Sequence, residues 1–115
     1  MANFNDINAT AQGNTKRLVK SVPDVMKSFK DLQEAAYKDA ALDTKTKEFA
    51  ALSYAIADKC EGCIGAHVNK LIKLGATRDE IAEIAGVAIV MGGGPGSVYG
   101  GKALQAYDDS MENQR

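Results

Sequence analysis

The chain has 115 residues, 45% of them hydrophobic and 25% charged, with 14 Lys and Arg against 15 Asp and Glu. That length supports a single hydrophobic core, and the composition excludes disordered, collagen-like and disulfide-scaffold classes. No Lys/Arg block reaches the density that phosphate-backbone binding needs, so nucleic acid is not an expected partner. The opening MANFNDINATAQGN has no basic region leading into an apolar run, and no apolar stretch approaches the roughly 20 residues of a membrane span. A cytoplasmic protein without a membrane partner is expected. The sequon Asn8-Ala9-Thr10 then carries no meaning for glycosylation.

Taken in chain order, residues 1–20 are rich in Asn, Thr, Ala and Gln and show little apolar periodicity. They read as an N-terminal arm, an irregular lead-in to a domain over 21–115 that orders against a neighbouring subunit. From Pro23 the pattern turns helical, with Val25, Phe29 and Leu32 at i, i+4, i+7. This first predicted helix covers 23–38, with Met26 and Phe29 in the core. Asp43 caps a second, over 44–58, whose stripe is Phe49, Leu52 and Ile56. A third, over 60–74, opens at the two cysteines, carries Ile64, Val68, Leu71 and Ile72, and stops at Gly75. Thr77 and Glu80 form a capping box for a fourth, with Ile81, Ile84, Ala85 and Ala88 inward. The run GGGPG at 92–96 breaks that helix, and Pro95 suits the first turn of a fifth carrying Val98, Leu104 and Tyr107. The fold class is therefore all-α, about five helices, with the C-x-x-C at the start of the third. Val87–Met91 alone could pass for a short buried strand.

KCEGCIGAH, residues 59–67, gathers both cysteines and the one histidine of the chain. In a reducing compartment C-x-x-C spacing reads as a redox or metal-binding pair rather than a permanent staple. A helix N-terminus lowers a thiol pKa, and side chains at i and i+3 are neighbours, so a reversible Cys60–Cys63 disulfide is reasonable there. His67 follows one turn later on the face of Cys63, as a candidate base. If the second and third helices form an antiparallel hairpin near Asp58, Glu48 stands about 15 Å and His67 about 10 Å above the turn. Glu48 then meets His67 before it meets Cys63, the order of a proton relay. The chemistry this suggests is attack of a Cys63 thiolate on a peroxide oxygen or a disulfide sulfur, with Cys60 resolving the product as a disulfide.

Glu48, Cys60, Cys63 and His67 together give E-x11-C-x-x-C-x3-H, which resembles the alkylhydroperoxidase D-like branch of the carboxymuconolactone decarboxylase family. The resemblance runs on from EFAALSYAIADKCEGCIGAH through the glycine-rich segment to Gly100. It implies an all-helical homo-trimer or homo-hexamer that reduces hydroperoxides, with Cys63 peroxidatic, Cys60 resolving, and Glu48 and His67 relaying the proton. A dithiol reductant of dihydrolipoyl or thioredoxin type is the implied partner, with no cofactor. Gly62 stands where the best-known alkylhydroperoxidase has a second histidine. The lactone decarboxylase needs no cysteine pair, so CEGC argues against that activity.

Several other readings compete. A non-enzymatic redox-sensing or interaction module, or a disulfide reductase, needs the same pair. Cys60, Cys63, His67 and Glu48 are also a possible metal set, although structural zinc sites draw on two separated ligand pairs. Two small buried thiols could simply pack a helix interface. Gly96–Lys102 begins like a phosphate loop, yet Ala103 stands where Ser or Thr should bind magnesium and no parallel sheet lies behind it. Tyr54 and Tyr99 are candidates to line a substrate pocket.

Overall fold

Each helix except the second starts where a side chain can take up a free N–H of the first turn. Asn3, Asp43, Cys60 and Thr77 all do so, and the second begins instead with proline at its first position. In the computed structural model, which describes residues 3–114, the elements are α1 (Phe4–Ser21), α2 (Pro23–Tyr37), α3 (Thr44–Ala57), α4 (Glu61–Lys73) and α5 (Arg78–Asn113). No strand occurs among the described residues, and Val87–Met91 is helical.

The five-helix count is reached differently from the sequence expectation. The segment read as an irregular arm is an 18-residue helix. Its Phe4 is fully buried in the core, its Phe4 N–H donates to Asp109 Oδ2 at 2.8 Å, and Asn8 packs on Gly65. The low apolar content of 1–20 hid this, because Phe4 and Ile7 with a cap suffice to dock a helix whose other face is solvated. The C-x-x-C consequently opens the fourth helix. At the other end α5 is two helical arms joined at Gly93, whose φ of 65° and ψ of −145° lie where only glycine sits without strain.

The second arm runs back antiparallel to the first. Gly96 lies against the backbone of Ala88 and Ile89, Gly100 against Ala85, and Arg78 closes the open end on Asp108 through a two-pronged ion pair at 2.8 and 3.0 Å. By length and composition α5 is apolar enough to cross a membrane. The uncharged stretch between Glu83 and Lys102 straddles the reversal, however, and an arm over 78–92 rises only about 22 Å. The phosphate-loop reading of Gly96–Lys102 fails here as well: the segment is helical, and Lys102 is bound to Glu61 at 2.5 Å.

The core is the meeting of α3, α4 and α5, with Leu52 and Ile56 from α3, Ile64, Val68 and Leu71 from α4, and Ile81, Ala85, Ala88, Ala103 and Ala106 from α5. Small residues on α5 let its arms and α3 approach closely. α2 packs only on α1 and α3, which corrects its expected place in the core. Val25, Phe29 and Leu32, its apolar stripe, are 63%, 51% and 63% exposed, and Met26 is half-buried. A single copy of the chain offers that stripe nothing to pack against.

Candidate functional site

The turn between α3 and α4 positions the cysteines. Lys59, at φ 58°, occupies the left-handed position that usually belongs to glycine. Its N–H donates to the Ile56 carbonyl and that of Cys60 to the Ala55 carbonyl, which closes α3. Cys60 then opens α4: its Sγ accepts the Cys63 N–H at 3.2 Å. One residue thus ends one helix and caps the next, with its sulfur among the free N–H groups and positive dipole end of α4, where a thiolate is favoured.

Cys60 and Cys63 are joined in a disulfide, with Cα atoms 5.2 Å apart. Cys60 is half-buried and Cys63 exposed, so the second cysteine is the one that solvent or a ligand reaches. Gly62 between them has open space where a Cβ would stand. The first turn is further held by Glu61, whose carboxylate binds Lys102 on the second arm of α5; the same ammonium lies 5.2 Å from the Tyr99 ring centre. The hydrogen bond to Glu61 raises the Lys102 pKa against a smaller lowering by burial, so the ammonium stays charged.

One turn beyond Cys63, His67 Nδ1 meets Glu48 Oε2 at 2.6 Å. Glu48 is only 2% exposed, on the face of α3 that also carries Leu52 and Ile56. A carboxylate can only accept, so Nδ1 carries the hydrogen and a neutral ring presents Nε2 as its acceptor. The order Glu48, His67, Cys63 read from helix rise is the order along the structure.

Tyr37, at the end of α2, completes this corner, and no motif or periodicity marks it. Its ring centre lies 6.2 Å from that of His67. Burial first, and then the charge of Glu48, push its phenol pKa up, which keeps the hydroxyl protonated. Thr44 fixes the segment after it by donating to the Tyr37 carbonyl at 2.6 Å. Tyr37, Glu48 and His67 face a cavity of about 460 Å³ between α2, α3 and α4, which neither cysteine lines. Tyr54 and Tyr99, the aromatic residues expected at a pocket, do not line it; Tyr54 is on the surface and Tyr99 lies by Lys102. Nothing in the spacing of Tyr37 could have pointed to it, because its place depends on how α2 docks.

Among the described residues no three His, Cys, Asp or Glu side chains converge as a metal-binding group. The two cysteines are bound to each other, and Glu48 is committed to His67.

Fold and site together define an all-helical protein with a C-x-x-C disulfide at a helix N-terminus, backed by a buried glutamate–histidine pair. The chain belongs to the carboxymuconolactone decarboxylase family, whose profile matches residues 23–106. A carboxymuconolactone decarboxylase family protein of Legionella pneumophila, crystallised in its apo form, is 44% identical and superposes with a TM-score of 0.88 over 91% of this chain and 94% of its own. A Thermotoga maritima member, for which involvement in an antioxidative response has been suggested, is 27% identical with a TM-score of 0.80, covering 92% and 91%. An uncharacterized protein of the cox locus of Paracoccus denitrificans is 34% identical over 88% of both chains.

Proposed function

We propose that the protein is a thiol-dependent peroxidase that cycles between a Cys60/Cys63 dithiol and the disulfide. The observation that carries this reading is the Cys60–Cys63 disulfide at the start of α4 with His67, held by Glu48, one turn behind it. In the reduced protein the Cys63 thiolate attacks the terminal oxygen of a hydroperoxide. The O–O bond breaks, an S–O bond forms, and the departing alkoxide takes a proton that the His67–Glu48 pair handles. Cys60 then attacks the sulfenic sulfur of Cys63, water leaves, and the disulfide forms. Two electrons and two protons from a dithiol of dihydrolipoyl or thioredoxin type restore the thiols.

The exposure of Cys63 and the half-burial of Cys60 support that division of labour, since the attacking sulfur must be reached and the resolving one need only be near. The suggested antioxidative involvement of the Thermotoga relative points the same way.

The test is peroxide consumption with each dithiol donor, on wild type, Cys63→Ser and His67→Gln, with thermal melts to show that each variant is folded. Sustained turnover in wild type, its loss in Cys63→Ser and a fall of about 100-fold in His67→Gln are expected. Turnover that stops after one equivalent of peroxide with every donor would make the protein a redox sensor instead.

A further inference from the structure

The cavity beside Tyr37, Glu48 and His67 has a rim of a particular charge. Lys30 from α2, Lys38 just beyond it and Lys70 from α4 line it, against one exposed carboxylate, Glu34. Elsewhere on the surface Lys27, Lys45 and Lys102 are ion-paired, to Asp31, Glu80 and Glu61, while Lys16, Lys20, Lys59 and Lys73 stand apart along the chain without such a pair among the described residues. The three rim lysines have no carboxylate partner among the described residues. Lys47 adds a fourth ammonium nearby, donating to the Lys38 carbonyl at 2.7 Å. The rim therefore gathers three ammonium groups against the one exposed carboxylate of Glu34, over a cavity of small-ligand size.

The cavity is also in line with the reactive sulfur. Cys63, His67 and Lys70 fall at i, i+4 and i+7, along one face of α4, so about 10 Å of helix separates the level of Cys63 from that of Lys70. A ligand lying along this face would have one end at the exposed sulfur, its middle over His67 and its far end among the lysines.

Building on the peroxidase reading, we propose that the substrate is a hydroperoxide carrying a carboxylate about 10 Å from its peroxide group, and that this carboxylate seats in the cavity on Lys30, Lys38 and Lys70. The lysines orient the substrate and take no part in breaking the O–O bond. Tyr37, with its protonated hydroxyl, and the Lys stems provide a surface for the connecting alkyl chain.

The test compares terminally hydroperoxidised octanoate with its methyl ester in steady-state turnover, on wild type and on a Lys30→Gln/Lys70→Gln variant. Wild type is expected to show a KM about ten-fold lower for the acid than for the ester, a ratio that shrinks at high salt and falls several-fold in the variant. Equal KM values for acid and ester in wild type, or a variant that raises both alike, would overturn the proposal while leaving the peroxidase reading in place. The second arm does not depend on turnover: octanoate is titrated into the oxidised protein while the His67 and Tyr37 ring resonances are followed, with octanol as the neutral control. Shifts with octanoate alone, lost in the variant, would uphold the anion site even if no peroxide is consumed. No shift, or the same shift with octanol, counts against it.

Discussion

Gly62 and Gly65 sit three residues apart on α4 and have opposite reasons to be small. A Cβ at Gly65 would collide with Asn8 Oδ1 and come within 3.1 Å of Phe4, so this glycine is the socket in which α1 docks. Gly65→Ala is expected to destabilise the protein by about 1–3 kcal/mol, seen as a lower urea midpoint, with faster amide exchange in α1 as the local sign. At Gly62 a Cβ meets nothing. The resemblance to alkylhydroperoxidases placed a histidine there, and the space around Gly62 would admit one. Gly62→His should leave the melting temperature within a few degrees of wild type and raise peroxide turnover, by about ten-fold if the added imidazole supplies a second proton donor beside Cys63. Unchanged turnover in the folded variant would show that this position does not limit the rate. His67 belongs to the same scale. Its removal leaves the Glu48 carboxylate buried without its partner, so His67→Ala is expected to lose about 2 kcal/mol or more of stability, and a glutamine there to recover part of it.

The arms of α5 depend on Gly93, the one residue whose backbone reverses the chain between them. Gly93→Ala is expected to cost about 2 kcal/mol, measured by chemical denaturation, because φ 65° with ψ −145° is almost closed to any residue with a Cβ. This turn was readable in GGGPG because glycine and proline mark backbone geometry directly, and so were the capping box at Thr77–Glu80 and the stop at Gly75. The α3–α4 turn shows the limit of such marks. Lys59 takes a left-handed conformation with no glycine to announce it, since Cys60 fixes both ends of the turn. Periodicity likewise reported which residues of α3, α4 and α5 face inward, because those helices pack on one another within a single chain. It misjudged α1, held by Phe4 and Asn8 rather than by a broad apolar stripe, and α2, whose stripe is real but faces outward. The contact of Glu48 with His67 was legible because two helices joined by a tight turn leave little freedom in register. The cavity and Tyr37 were not, because they depend on how α2 docks across α3.

At the scale of the molecule, three carboxylates that cap a helix or tie elements together all have lowered pKa values. Asp43 is held down by the Thr46 hydroxyl and then the Thr46 N–H at the start of α3, Glu80 by the Thr77 N–H and then Lys45, and Asp108 by Arg78 across the α5 arms. Groups with depressed folded-state values contribute stability that is present above the unfolded carboxylate range of about 4 and is lost as pH falls through the folded values. Melting temperature should therefore decline below about pH 4, and Asp108→Asn should flatten that decline while lowering the neutral-pH value. The exposed apolar surface poses the larger question. Val25, Phe29 and Leu32 lie uncovered on α2, and Val90 and Met91, 82% and 79% exposed, lie with Val87 and Val98 near the uncharged α5 reversal. The radius of gyration, 14.3 Å against about 13 Å for a compact chain of this length, fits a helix standing off the core. Burying side chains such as Phe29 and Leu32 is worth about 2 kcal/mol each, and a second copy of the same chain supplies a matching face by symmetry. Sedimentation at micromolar concentration is expected to show a homo-oligomer, a trimer or hexamer as the family resemblance implies, with Phe29→Ser/Leu32→Ser shifting it toward monomer. α2 also carries Lys30 and Tyr37, so the same variant should bind octanoate several-fold more weakly as that wall of the cavity loosens. A wild type that sediments as a monomer would instead make the α2 stripe an uncovered surface and leave α2, one wall of the cavity, held by α1 and α3 alone.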